Sequence, residues 1–395
     1  MKAVKITEGI FWVGAIDWNI RDFHGYKTPR GTSYNAYLIL DEKIALVDTV
    51  KHGFAGEMIA RIKDVIDPAR IDYVISNHVE MDHSGSLLDI LKIAERAKVV
   101  CSAKGKEGLK KHYQREWDFQ VVKTGDELKL GRKTLKFAEI PMLHWPDSMV
   151  SYLIEDQILL SSDAFGQHIA TSKRFNDEVK DIDILEEAAK YYANILEPYS
   201  ALIPKAVEKI TALGIAPKII APSHGVIWRE NALQIINAYL EWSKGVLRDR
   251  VVIVFDTMWQ STEKMAIAIS EGIASEGVRT QLFHLRKSDW SEIVKEIKFS
   301  RVLLVGTPTI NNAIYPSVAG FLEYIKGLRF KGKKASAFGS YGWSGEAPSA
   351  AIKRLEEAGF QTIEPLRLQW IPSESELKEC FEFGRRIANQ VKGKV

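Results

Sequence analysis

Within the ten residues Ser76-Asn77-His78-Val79-Glu80-Met81-Asp82-His83-Ser84-Gly85, two imidazoles and two carboxylates fall inside six positions. Crowded together on their own, such groups repel as charges or waste hydrogen-bonding capacity; a divalent metal removes both problems by binding them. The flanks say where the cluster sits. Ile71-Asp72-Tyr73-Val74-Ile75 is a β-branched run that predicts a buried strand. Leu87 to Ala94 has helical composition, with Ser84 available as a cap and Gly85 keeping the entry tight. The four groups therefore belong on a strand-to-helix loop, the kind of place where a rigid scaffold carries chemistry.

Each of these residues alone has an ordinary reading: a single histidine after a strand usually packs, and a single aspartate usually caps a turn or helix. Three distant segments change that reading. His144 follows the run Ala138 to Leu143 and precedes Trp145-Pro146; Asp163 follows Ile158 to Ser162; His224 follows Ile219 to Ser223 and precedes Gly225. Each is a polar residue where an apolar run ends. One sheet rim would gather all four loops into a two-metal site.

A chain of 395 residues exceeds what one hydrophobic core usually serves, so two domains are expected. Its 54 basic and 51 acidic residues nearly balance, which argues against nucleic acid or an anionic membrane as the main partner. The two cysteines, Cys101 and Cys380, form no C-x-x-C pair, so no rubredoxin-like or iron–sulfur centre is expected in the chain. With no secretory apolar segment and no membrane-length apolar run, a reducing cytoplasm is the expected location.

Along the chain, strands are expected at Ile10 to Val13, Tyr34 to Leu40 and Ile44 to Thr49, the last two forming a hairpin. Helices and short strands continue to about residue 243, predicting two sheets sandwiched between helices over residues 1–247. After the linker Lys244 to Arg250 the pattern becomes regular strand–helix alternation. Val251 to Phe255 and runs near 279–285, 301–305, 334–339 and 362–369 predict a doubly wound, five-stranded parallel domain over 248–395.

Ligands in such domains bind at the carboxyl ends of the strands, and three loops there are distinctive. Thr257-Met258-Trp259-Gln260-Ser261-Thr262 leads into a helix expected near Glu263, and hydroxyls at a free helix N-terminus suit a phosphate. Pro308-Thr309-Ile310-Asn311-Asn312 offers amides for the edge of a polar heterocycle. Ser340-Tyr341-Gly342-Trp343-Ser344-Gly345 offers aromatics for a flat ring. Together they point to flavin mononucleotide (FMN); the motifs for a nicotinamide or ATP site are absent.

With both sites in view, the chain resembles the flavodiiron proteins, or A-type flavoproteins, along essentially its whole length. The resemblance implies an N-terminal αββα metallo-β-lactamase-like sandwich and a C-terminal flavodoxin-like domain. It carries over seven metal ligands, spaced here with 60, 18 and 60 residues between successive segments. His78, Glu80 and His144 are expected to hold one iron, Asp82, His83 and His224 the other, and Asp163 to bridge them. Hydrolases of this superfamily usually have histidine where Glu80 stands; a carboxylate there favours two non-haem irons over zinc. In the other half, Gln260 replaces a glycine common in flavodoxins, so a different backbone path is expected there.

The implied activity is reduction of O2 to water, of NO to N2O, or of both. Two ferrous ions and one reduced flavin together hold the four electrons that O2 requires. His24 and Tyr192 are candidate proton sources. The family further implies rubredoxin or a reduced deazaflavin as external donor. It also implies a head-to-tail homodimer, or a dimer of dimers, in which each FMN faces the partner's irons. A short linker favours that arrangement over transfer within one chain. Two alternatives compete: a zinc hydrolase of the lactamase type fused to a flavodoxin carrier, and a non-enzymatic carrier in which only the flavodoxin half works.

Overall fold

A computed structural model describes residues 1–393. The chain divides into two compact units, Met1–Tyr192 with Tyr199–Leu240, and Ala193–Pro198 with Glu241 onward.

Two facing sheets build the first unit. One has seven strands, in the order Val4–Thr7, Ile10–Trp12, Tyr37–Ile39, Ala45–Val47, Tyr73–Ser76, Lys98–Cys101 and Phe119–Val121. The other has five: Glu127–Lys129, Thr134–Glu139, Met149–Leu153, Ile158–Ser162 and Ile219–Pro222. Period-two alternation sorts their side chains. Ala45, Val47, Ile75 and Val100 pack between the sheets against Leu135, Phe137, Met149 and Leu160. Leu46, Val74 and Val99 face the opposite way, onto Met58 and Ile62 of helix Ala55–Lys63 and Leu87 and Ile90 of helix Leu87–Leu91. On the outer face of the second sheet, the hydroxyl of Tyr152 donates to the Ala216 carbonyl. Lys209, on helix Ile203–Ala212, donates to the carbonyl of Glu139. Helix, sheet, sheet and helix are thus layered in that order.

The second unit has one all-parallel sheet, ordered Arg279–His284, Arg248–Phe255, Ser300–Gly306, Lys334–Tyr341, with Gln361–Thr362 and Leu366–Gln369 both pairing to the last of these. Its central strands Arg248–Phe255 and Ser300–Gly306 are apolar on both faces from Val251 and from Val302 onward, as burial under two helix layers requires. Val251, Ile253, Val302 and Leu304 meet helices Ser261–Ser275 and Glu374–Val391. Val252, Val254, Leu303 and Val305 meet helices Trp290–Phe299, Pro316–Leu328 and Glu346–Glu357. The chain reverses direction across the sheet between Arg248–Phe255 and Ser300–Gly306, which opens a crevice at their carboxyl ends.

Several boundaries differ from expectation. The expected strand over 362–369 is two short strands, interrupted at 363–365. The helix expected near Glu263 begins at Ser261, and the strand after the linker already begins at Arg248. Ser84 does not cap the following helix. Met81–Ser84 is itself a helical turn, Ser84 Oγ donates to the carbonyls of Val79 and Glu80, and the residue before Leu87–Leu91 is Ser86. Among the described residues no helix is long and apolar enough to cross a membrane.

Candidate metal centre and flavin cleft

The metal-type side chains sit at the carboxyl ends of four strands. His78 and Glu80 follow Tyr73–Ser76 directly, and the turn Met81–Ser84 then presents Asp82 and His83; His144, Asp163 and His224 follow Thr134–Glu139, Ile158–Ser162 and Ile219–Pro222. Backbone bonds lock these loops together: Met149 N–H donates to the Asn77 carbonyl, Thr49 N–H to that of His83, and Asn35 N–H to that of Ser223.

All seven residues converge. His78 Nε2 lies 3.3 Å from Glu80 Oε2 and 3.5 Å from Asp163 Oδ2, and His144 Nε2 lies 3.4 Å from each of the same two oxygens. On the other side, His83 Nε2 is 3.3 Å from Asp82 Oδ2 and 3.1 Å from Asp163 Oδ1; His224 Nε2 is 3.0 and 3.3 Å from them. Asp163 thus turns one oxygen to each trio. Both carboxylate oxygens of Asp82, one of Asp163, and the Nε2 atoms of His83, His144 and His224 are buried without a hydrogen-bond partner. Atoms this close yet misaligned for bonding one another are aimed at a common point. Leaving so many polar atoms unpaired in the interior is costly unless a cation sits there, so the donor set fits a pair of metal ions.

Electrostatics agree. Burial opposes a charged imidazole, but the surrounding carboxylates outweigh it, pushing His78 and His83 up to about 10 and His144 and His224 up to about 9. Burial likewise opposes charge on Glu80 and Asp163, yet the histidines hold both well below the carboxylate range. Such a site accepts a divalent ion in exchange for protons.

His24 reaches the cluster. Its φ of 53° and the 79° of Gly25 make the two-residue turn of a tight hairpin, Asp22–Phe23 against Tyr26–Lys27. From that tip His24 Nε2 comes 2.8 Å from Glu80 Oε1. Phe23 packs against it, ring centroids 4.0 Å apart and planes tilted by 48°, and also meets the rings of His168 and His224. Tyr192 lies elsewhere: its hydroxyl is shared with Ser200 and its ring packs edge-on against Tyr239. The tyrosine whose hydroxyl donates to Asp163 Oδ1, at 3.0 Å, is its neighbour Tyr191.

Sequence reasoning also missed what lies behind two of these histidines. His78 Nδ1–H donates to Asp147 Oδ2 at 3.0 Å, and His224 Nδ1–H donates to the carbonyl of Ser33 at 2.7 Å. Each bond leaves Nε2 as the lone-pair nitrogen facing the cluster.

In the second unit the three loops surround a cleft of about 490 Å³, within the range of small-ligand sites. Thr257, Met258, Trp259, Ser261, Pro308, Thr309, Ile310 and Asn311 line it, as do Ser340, Tyr341, Gly342 and Trp343. Trp370 and Ile371 line it too, although no loop reading included them. Gln260, Thr262, Asn312, Ser344 and Gly345 are not in the lining. Thr262 is fully buried, its hydroxyl 3.2 Å from that of Ser340, and Asn312 donates to Ser344 Oγ and Glu346 Oε1, clasping two loops together. Gln260 takes φ 67°, the left-handed conformation glycine adopts readily, so the backbone keeps a glycine-like path despite the substitution. Beneath the first loop, fully buried Asp256 accepts from Thr257 N–H and from Arg286 Nε, while Arg286 also donates to the Thr257 carbonyl. Trp259 and Trp343 remain 83% and 78% exposed at the rim.

Comparison with known proteins covers both halves. Residues 32–225 match the ODP family beta lactamase and residues 253–384 match flavodoxin. The chain is 49% identical over 393 residues to the nitric oxide reductase of Moorella thermoacetica, covering 98% of each. The structure of rubredoxin oxygen:oxidoreductase from Desulfovibrio gigas superposes with a TM-score of 0.97 at 42% identity, covering 100% of this chain and 99% of that one. The flavodiiron protein of Giardia intestinalis gives 0.96 at 37%, covering 100% and 98%. Matched end to end in sequence and backbone by proteins of this kind, the chain belongs to the flavodiiron protein family.

Proposed function

We propose that this protein reduces O2 to water, NO to N2O, or both, at two iron ions, with electrons relayed through FMN. The observation that carries the reading is the pair of ligand trios sharing Asp163, with the carboxylate of Glu80 in one of them. In this reading His78, Glu80 and His144 would hold one iron and Asp82, His83 and His224 the other, with Asp163 available to each trio. Mixed imidazole and carboxylate donors suit iron, and their negative charge favours its higher oxidation state. When bound, the irons and the flavin supply the electrons of the reaction.

The remaining tasks fall to side chains. His24, held against Glu80 at the hairpin tip, is placed to hold a proton at the edge of the cluster. Phe23, packed on His24 and His224, keeps an apolar wall there and excludes water. Tyr191 orients Asp163 by donating to the oxygen that faces His83 and His224. In the cleft, Ser261 and the N-terminus of its helix would hold the FMN phosphate. Asn311 and Thr309 would offer polar contacts to a bound flavin, and the aromatic rings of Tyr341, Trp343 and Trp370 would pack against it.

A separate rubredoxin or a reduced deazaflavin serves as donor, and the working unit is a head-to-tail homodimer or a dimer of dimers. The exposed aromatic rim of the cleft supports a protein partner at that edge. Two buried, unpaired cysteines fit a reducing cytoplasm.

Metal analysis after growth with ample iron should give two irons per chain; His144→Ala should lose at least one of them together with gas reduction. Anaerobically reduced protein should reoxidise its flavin on addition of O2 or NO. Active protein holding two zincs and no iron would overturn the reading.

A further inference from the structure

Behind the metal-facing histidines the partners differ in kind. Ser33 offers His224 a neutral carbonyl. Asp147 offers His78 a carboxylate, and one oxygen of it takes two donors: His78 Nδ1–H at 3.0 Å and the backbone N–H of Val79 at 2.8 Å. The ring and the chain that carries it are therefore pinned to a single atom. Asp147 is 5% exposed, and its own backbone is anchored: its carbonyl accepts from Ser102 Oγ at 2.9 Å, while Ser102 caps helix Ala103–Tyr113 by accepting from Gly105 N–H. The rigid start of a helix thus fixes the carboxylate that fixes the ring. Asp48, also buried behind the site, accepts the backbone N–H of Asn77 rather than a ligand ring. His24 acts on Glu80 from the other side.

We propose that Asp147 is a positioning residue of the metal centre, orienting His78 Nε2 toward its ion and adding negative charge behind that one ligand. This rests on His78 being a ligand, as argued above. A carboxylate accepting from Nδ1–H makes the imidazole a stronger donor, and outer partners of this kind alter metal affinity ten- to a hundredfold. The effect belongs to the ion held by His78, Glu80 and His144, so the variant should disturb one iron and spare the other.

Asp147→Asn separates charge from placement, because the amide oxygen can still accept both N–H groups. Protein loaded with the Mössbauer isotope of iron should keep two ions per chain. One of its two iron signals should change, and that iron's reduction potential should move to a more positive value. The flavin potentials, read in the same titration, should stay where they are. Two irons with wild-type signals and potentials would overturn the proposal. If the variant retains no iron, zinc titration of the metal-free protein decides. Weakening of one zinc site by tenfold or more, with wild-type affinity at the other, supports the proposal; equal weakening of both, or of neither, overturns it. His78→Ala is run alongside: two unaltered iron signals there would show that His78 is not a ligand, a failure of the earlier reading rather than of the role of Asp147.

Discussion

Lys333 sits buried in the flavodoxin half with its ammonium donating to the carbonyls of Lys298 and Ser300. Burial, joined by repulsion from Lys298 and Arg250, outweighs the attraction of Glu197 and brings it down to about 7. An unfolded lysine titrates near 10.4. Between those values the unfolded chain binds more protons than the folded one, so this residue makes stability rise as pH increases from about 7 to about 10. The rise is on the order of a few kcal/mol. Lys333→Met should flatten it, measured as the pH dependence of the melting of this unit by calorimetry; an unchanged slope would show that Lys333 is not the source. Residues at the metal centre differ in how legible they were. Of the seven metal-type side chains, His78, Glu80, Asp82 and His83 stood out by crowding into six positions, and His144, Asp163 and His224 because each ends an apolar run, and strand ends gather at a rim. Tyr191 did not stand out from Tyr192, since neighbouring helical positions point about 100° apart and only the fold fixes the phase. The partnership of Asp147 with His78 is set by two loops 69 residues apart meeting behind the metal, which no local pattern encodes.

Helices Ser261–Ser275 and Glu374–Val391 cross at glycines. A Cβ at Gly272 would come 2.0 Å from the Phe381 carbonyl oxygen, and one at Gly384 would come 2.2 Å from that of Ile269. Alanine gains about 1 kcal/mol in helix propensity over glycine, but overpacking a tight contact costs about 1–3 kcal/mol and more when backbone is the obstacle. Gly384→Ala should therefore destabilise by about 1–2 kcal/mol, read as a lowered melting midpoint. The first of these helices also begins the proposed phosphate site, where its two hydroxyl residues divide their roles. Ser261→Ala should weaken FMN by about 1.5–3 kcal/mol, the worth of a hydrogen bond to a charged group. Thr262→Val should act chiefly on stability, because that hydroxyl meets Ser340 inside the protein. Titrating FMN into flavin-free protein tests both, and wild-type affinity in Ser261→Ala would place the phosphate elsewhere. Elements were readable from sequence where period and composition agreed, as in Arg248–Phe255. The last strand was misjudged because the run 362–369 was read through Pro365, which interrupts a strand, and Trp370 and Ile371, just beyond it, went unnoticed as part of the cleft.

For the whole molecule, the proposed head-to-tail dimer makes a prediction that neither half makes alone. Iron-deficient subunits carrying His144→Ala, mixed with flavin-deficient subunits carrying Ser261→Glu, whose carboxylate would repel the phosphate, should regain gas reduction. In a mixed dimer the intact flavin of one subunit meets the intact irons of the other. Full exchange of subunits with no recovered activity would rule that arrangement out. The two-part organisation was visible in the change of strand pattern near residue 244. The threading was not, because six residues in the middle of the first half, Ala193–Pro198, belong to the compact unit of the second. There Asn194 donates to the Ser291 carbonyl and accepts from Tyr324, and Glu197 pairs with the buried ammonium of Lys298. The halves are therefore not beads on a string. A gene cut at the junction yields a flavodoxin missing an internal brace, with a buried lysine stripped of its counter-ion. During synthesis that brace emerges from the ribosome well before the fold it completes, and must wait for it. Any exchange of flavin modules between relatives of this chain has to carry the brace along, which makes the fusion harder to undo than its linear order suggests.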